Sequence, residues 1–427
     1  MARTLTVNDA YQMMNLVVKQ ATGQEDITVT DLSSFVSAGE RVLSTGMENV
    51  FNSLSLVLNR TLISARPYKG KLTLMNEVNT NAYSSRVRKI SFYSKNALPS
   101  GEFNTNLFTN LAEGFTAGEN KDADGDAQST KSQWEQNQPV SLEMNFAGQS
   151  TWQACITMYE NAIKTAFSGP EDFNAFIAGY LTEHANDIES QKEAWNRMNL
   201  LNKIASVYDM SDNMPSSVVN LTSAFNTKFG TSYTSEALRT TYLKEFLSFF
   251  VAKFKEDSSH LTERTLNYHW SPAKTVGGVE YNLLRHTPYN RQQVYLFEDL
   301  FVEAQASVLP SIFNPEYLDI KTQFEPVGYW QSQNSRAAIN VTPAVVDTAT
   351  GLQKAGAPVS IPFVVGMITD KDGLMTNFGL ESARTTPVEA RKGYRNTWNT
   401  FLKNNMCDNT ENCVIYIMED AAVVPAP

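Results

Sequence analysis

From Pro170 to Tyr208 apolar residues recur at three- and four-residue steps with no internal proline: Phe173, Phe176, Ile177, Tyr180, Leu181, Ile188, Trp195, Met198, Leu201 and Ile204. This spacing marks one helical face, apolar throughout, and at ~1.5 Å per residue it predicts a rod of roughly 55 Å. Pro170 suits the first helical position, which needs no amide donor, and Glu171 and Asp172 favour the positive end of the helix dipole. The preceding segment has Trp152, Ile156, Tyr159 and Ile163 on one stripe, which predicts a shorter helix ending near Ser168 and Gly169. Further helices are expected over residues 1–60, around Val7, Tyr11, Met14 and Val18, then Val50, Leu54 and Val57 beyond a break at Gly23. Another is expected from about Ser235 to Lys255, and strands with one more helix between Asn282 and Phe313, where Tyr295, Phe297, Leu300, Phe301 and Ala304 form a stripe.

Between roughly Thr61 and Asn145 the pattern is different. Thr73, Val78, Tyr83, Val87, Ile90, Phe92 and Tyr93 sit among Asn, Ser and Thr, as in a two-sided ribbon. Val140, Leu142, Met144 and Phe146 alternate with polar residues as a half-buried return strand requires. Residues 118–133 are rich in Gly, Asp, Ser and Ala and read as a solvated tip. Short strands follow late in the chain: Ile361 to Thr369, an Asp370-Lys371-Asp372-Gly373 turn, and Val414 to Met418. With no repeated βαβ unit and no internal repeat, the element order is α+β.

Composition narrows the function classes. The 427 residues suffice for two or three domains, and a net charge of -10 argues against a chain that coats nucleic acid, while remaining compatible with enclosing it. The first twenty residues interrupt their apolar positions with Arg3, Asn8, Asp9 and Lys19, and the densest apolar run, Phe246 to Ala252, is far below the ~18 residues of a membrane span. A chain without secretion leader or membrane anchor is expected. Cys155, Cys407 and Cys413 make no paired framework; Cys155 reads as a small buried hydrophobe, and the other two as free thiols flanking a turn.

Charge within the ribbon is segregated. Arg60, Arg66, Lys69, Lys71, Arg86, Arg88, Lys89 and Lys95 stand against the single acid Glu77, a net of +7. From Pro99 to Gly148, Glu102, Glu113, Glu119, Asp122, Asp124, Asp126, Glu135 and Glu143 stand against Lys121 and Lys131, a net of -6. Such halves suit contact with copies of the same chain, where opposite charges set register. The lesser alternative is a solvated hairpin whose two halves merely neutralise each other.

Catalytic and metal motifs are absent from the sequence. Asp122, Asp124 and Asp126 imitate the start of a calcium loop, yet its sixth position is Ala127 and its twelfth Gln133. His184, His260, His269 and His286 share no metal-ligand spacing, and His184 reads as a partly buried ring on the long helix. Asp299 and Glu303, one helical turn apart, could share a proton or a metal, but two carboxylates alone are a weak signal and an exposed acidic helix face is much the commoner explanation. No phosphate-cradling or acyl-transfer motif occurs, so no cofactor is expected.

Taken in order, these parts resemble the major capsid proteins of tailed phages of the Hong Kong 97 type, most of all those of short-tailed phages. The resemblance is carried by the helical start, the ribbon, the Ile163-Lys164-Thr165-Ala166-Phe167 lead-in, the long helix with Phe173 and Phe176, the strand and turn from Val364 to Met375, the Tyr394, Trp398 and Phe401 segment, and the closing strand Val414 to Met418. It implies an N-terminal arm (1–60), an extended loop (61–148), a peripheral domain with a spine helix (149–210 and 391–427) and an axial domain (211–390). It also implies a non-enzymatic shell subunit assembled in the host cytoplasm. Its partners would be copies of itself in hexamers and pentamers, with scaffolding, portal and decoration proteins as further candidates. Arg66, Lys69, Lys71, Arg86, Arg88, Lys89, Glu102, Glu113 and Glu119 are the expected subunit-contact residues of the loop.

Overall fold

The computed structural model describes residues 7–23, 28–46, 49–50, 53, 72, 76–80, 87–93, 139–146, 150–276, 279–300 and 324–420. Its helices are α1 (Val7–Thr22), α2 (Leu32–Ser44), α3 (Glu160–Ala166), α4 (Pro170–Asp209), α5 (Leu221–Phe229), α6 (Ser235–Thr240) and α7 (Leu243–His260). The first nine strands are β1 (Asn76–Thr80), β2 (Val87–Phe92), β3 (Ser141–Phe146), β4 (Ser150–Tyr159), β5 (Val218–Asn220), β6 (Lys274–Val276), β7 (Val279–Tyr281), β8 (Gln292–Phe297) and β9 (Phe324–Val327). Then come β10 (Ile339–Val341), β11 (Ala344–Val346), β12 (Gln353–Ala355), β13 (Val359–Ile361), β14 (Val364–Asp370), β15 (Leu374–Thr385), β16 (Tyr394–Cys407) and β17 (Cys413–Ile417). Helix and sheet are mixed, and the chain divides into two compact units.

The larger unit takes in Met1–Val87, Asn145–Trp270 and Arg285–Pro427. It contains a four-stranded sheet ordered β1-β15-β16-β4 and a five-stranded sheet ordered β5-β17-β14-β8-β9. Its main core joins Leu200, Ile204 and Val207 of α4 to Phe246, Phe250 and Phe254 of α7 and to Ile415 and Tyr416 of β17. Gly366 leaves no room for a side chain in the β14–β8 pairing, since a Cβ there would collide with the Leu296 side chain and sit 2.6 Å from the Tyr295 carbonyl. The Asp370–Gly373 turn does not close a hairpin. It carries the chain from β14 in one sheet to β15 in the other, and Arg291 clamps it through Asp370 at 3.0 Å and Asp372 at 2.5 Å.

A second, separate core gathers α1, α2, α3 and the start of α4. It packs Met14, Val17 and Val18 with Phe35, Ile163, Phe167 and Phe173. Local chemistry sets its elements. Gly23 (φ 69°) ends α1 in the left-handed conformation that glycine adopts without a Cβ penalty. Asp31 starts α2 through a reciprocal cap, its carboxylate accepting from the Ser34 amide at 2.7 Å while the Ser34 hydroxyl accepts from the Asp31 amide at 3.0 Å.

The smaller unit, Arg88–Met144 with Ser271–Leu284, contains the pairs β2/β3 and β6/β7. Lys274 Nζ donates to the Ser141 carbonyl at 3.1 Å, tying its two segments together.

Several expectations need correction. Residues 150–159 form strand β4 rather than a helix, and only Glu160–Ala166 is helical. Trp152, Ile156, Tyr159 and Ile163 fit a helical stripe, but Trp152, Ala154, Ile156 and Met158 also alternate with Gln153, Cys155, Thr157 and Tyr159, and the ten-residue ladder to β16 decides for period two. Cys155 is therefore exposed instead of buried. The expected helix from Ser235 to Lys255 is two helices, broken between Thr240 and Leu243. Tyr295 and Phe297 lie in β8, so the stripe around them is not one helix. Val78 belongs to β1, which pairs in parallel with β15 in the larger unit rather than with the ribbon.

The long helix itself runs over 40 residues, about 60 Å at the standard rise. Its apolar face is not continuous: His184, Asn196, Asn199 and Lys203 are buried on it, and Lys203 is fully so.

Candidate assembly surface

Of the nine residues expected at subunit contacts, Arg88 and Lys89 lie among the described residues; Arg66, Lys69, Lys71, Arg86, Glu102, Glu113 and Glu119 lie outside them. So does the Asp122, Asp124, Asp126 triplet. β2 alternates strictly. Arg88, Ile90 and Phe92 are exposed, whereas Ser91 and Tyr93 are buried and Lys89 is half-buried. Burial pushes the Tyr93 phenol up.

On the exposed face Arg88 meets Glu143 of β3 at 2.8 Å. At this position the basic and acidic halves of the ribbon neutralise each other within one chain. An ion pair so exposed contributes ~0–1 kcal/mol and is screened by salt. The same face leaves Ile90 at 50% and Phe92 at 62% exposure. Two large apolar side chains beside a self-satisfied ion pair make a surface whose burial would be favourable, at about 25 cal/mol per Å² covered.

The larger unit holds its chemistry inside. Asp408–Asn412, the turn between Cys407 and Cys413, is buried at all five residues. Lys203 Nζ donates to the Asp408 carbonyl at 2.6 Å and to Asn409 Oδ1 at 3.2 Å. Arg285 pairs with Glu411 at 3.1 Å, and His269 Nδ1 bonds Asn412 Oδ1 at 2.9 Å. Every one of these bonds ties the turn to a different segment, which is how a polar loop becomes tolerable in an interior. Sequence reasoning saw only a turn between two cysteines; the separations of 206 and 143 residues to Lys203 and His269 left no local signal. Both thiols are free, and burial pushes Cys413 up to about 11.

The remaining candidates for chemistry are similarly committed. Asp299 pairs with Arg336 at 2.8 Å, while Glu303 lies outside the described residues. His184 is buried against the Asn399 side chain, and that burial lowers its pKa. Asp257 is buried between Lys253 at 3.0 Å and the Tyr416 hydroxyl at 3.1 Å, and desolvation raises its carboxyl despite both partners. A cleft of about 900 Å³ runs beside α4, lined in part by Glu193, Arg197, Met198, Tyr329 and Arg336. Arg197 is already stacked 3.7 Å from the Tyr329 ring centre and bonded to Glu193 at 2.9 Å. Among the described residues no group of three metal-ligating side chains converges, and no helix is long and apolar enough to cross a membrane.

No family model matches this chain, and no curated protein matches it. Solved structures do. One is the capsid structure of Staphylococcus phage Andhra, at 11% identity over 82% of this chain and 85% of that one, with a TM-score of 0.49. Another, the structure of head fiber and inner core protein gp22 of native bacteriophage P68, matches at 10% identity over the same shares, with a TM-score of 0.49. The capsid of cyanophage P-SCSP1u matches at 7% identity over 82% and 87%, with a TM-score of 0.40. At such scores the functional reading rests on this chain's own residues.

Proposed function

We propose that this protein is the major capsid protein of a tailed phage, with a Hong Kong 97-type fold nearest to those of short-tailed phages, and that many copies close an icosahedral shell around double-stranded DNA. One observation carries the reading. A 40-residue helix is anchored at its start in a small helical core and at its end in the main core, and the ribbon of the second compact unit exposes Ile90 and Phe92. A spine seated in both cores and an uncovered ribbon suit a building block better than an enzyme, and Asp257, Asp299, His184 and His269 are each engaged with neighbours.

In this reading residues 1–60 are the arm, 61–148 the extended loop, 149–210 with 391–427 the peripheral domain, and 211–390 the axial domain. The loop reaches over an adjacent copy. Arg66, Lys69, Lys71, Arg86, Arg88 and Lys89 then meet acidic positions such as Glu102, Glu113 and Glu119 of neighbours, although Arg88 must first release Glu143. Each contact is weak, and closure of five- and six-membered rings multiplies it through effective concentration. The net charge of -10 keeps the inner wall from adhering to the packaged genome.

Electron microscopy of the purified full chain tests this. Closed polyhedral shells are expected; twelve-fold rings would mean a portal, and tubes a tail component. Dispersed single molecules at every concentration would refute an assembly role.

A further inference from the structure

A sheet edge presents a row of unpaired N–H and C=O groups, and folded proteins blunt such edges by shortness, proline, charge or bulges. Three of the four edges of the two large sheets obey this. β5 has three residues, β9 has four including Glu325 and Pro326, and β1 has five including Glu77. β4 does not. Its ten residues, STWQACITMY, contain no proline, glycine or charge, and its ten-pair register with β16 runs without a bulge. Among the described residues no strand lies along its other side.

We propose that β4 is an assembly edge completed by the β4 of a second copy, antiparallel across a two-fold axis, so that two four-stranded sheets join into one of eight. The inference rests on the capsid reading for its supply of copies. A two-fold contact requires the strand to be complementary to itself, with matching faces, because α4 lies on one side of each sheet through the Trp152–Trp195 ring contact at 4.0 Å. The register centred on Cys155 meets both demands. On the helix side it sets Ala154 against Ile156 and Trp152 against Met158; on the other it sets Gln153 against Thr157 and Thr151 against Tyr159. Apolar residues meet apolar ones, and polar residues meet side chains that can hydrogen-bond them. In a chain with a net charge of -10, an uncharged ten-residue strand is also where copies approach with least repulsion.

Cys155 supplies the test. Facing residues of an antiparallel pair lie about 4.5–5.5 Å apart at Cα, inside the range a disulfide spans. Cys155 is exposed, Cys407 half-buried and Cys413 buried. Assembled full-length protein is treated with a thiol oxidant, which takes two electrons as the paired thiols lose two protons, and is then run on a non-reducing gel. A covalent dimer is expected, and its loss in Cys155→Ser. A second pair of variants needs no oxidation: Cys155→Lys and Cys155→Asp should each block assembly alone, through like charges across the axis, and recover it when mixed.

Shells that form while Cys155 stays unlinked, or a Cys155→Lys protein that assembles as well as the parent, would overturn the edge contact and leave the capsid reading standing. Failure of the unmodified chain to assemble at all would remove both.

Discussion

Phe173 is the residue on which the small helical core turns. It is 1% exposed, its ring lies 5.7 Å from Phe35 of α2 and 5.7 Å from Phe167, and it belongs to the first turns of α4. Phe173→Ala removes an aromatic side chain that buries roughly 150–250 Å², which at about 25 cal/mol per Å² is on the order of 4–6 kcal/mol. Measured Phe-to-Ala losses in cores fall in the same range, ~3–5 kcal/mol. None of the residues packed in this core belongs to the main one, so the loss should be local: α1 and α2 open while the five-stranded sheet stays closed. Native-state hydrogen exchange reads this directly. A tenfold change in exchange corresponds to ~1.4 kcal/mol, so α1 and α2 amides should lose about three decades of protection while β14 amides keep theirs. If β14 amides lose protection in step with α1, the two cores unfold as one unit and the reasoning is wrong.

Two further outcomes follow from single side chains. Lys403 is 6% exposed against the Trp195 ring, and burial lowers its amine to about 8 from an ordinary 10.5. Below pH 8 both states hold the proton and the fold bears the full cost of the buried charge; from pH 8 to 10.5 the unfolded state alone keeps it, so stability rises with pH across that window. Lys403→Met should therefore raise the unfolding free energy measured in urea at pH 7, by on the order of 1–3 kcal/mol, and by less at pH 10; an equal gain at both would exclude the charge as cause. Gly366→Ala should push β8 and β14 apart at the Tyr295 carbonyl, lowering stability by about 1–3 kcal/mol in equilibrium denaturation, and an unchanged midpoint would show that the strands have slack.

What the sequence disclosed divides by the range of the interaction. The start of α4 and the end of α1 were legible because Pro170, Glu171, Asp172 and Gly23 act within one turn. The β3 alternation was legible for the same reason, and Leu142, Met144 and Phe146 are indeed its less exposed face. β4 was misread because Trp152 and Ile156 satisfy both periodicities, and only its long-range partner β16 chose between them. The burial of Lys203 left no local signal, because its acceptors lie more than 200 residues away. At the ribbon, charge segregation could be read from composition, whereas the Arg88–Glu143 pairing across 55 residues could not.

β17 lies between β5 and β14 and is parallel to one and antiparallel to the other. Within its sheet it is therefore an interior strand, yet it is the last of the five to be synthesised. Until residue 417 has emerged from the ribosome, β5 and β14 have no neighbour to bridge them and the sheet cannot close. The order of synthesis thus keeps this sheet open until its last interior strand arrives, so a partly made chain has no route to a closed main core.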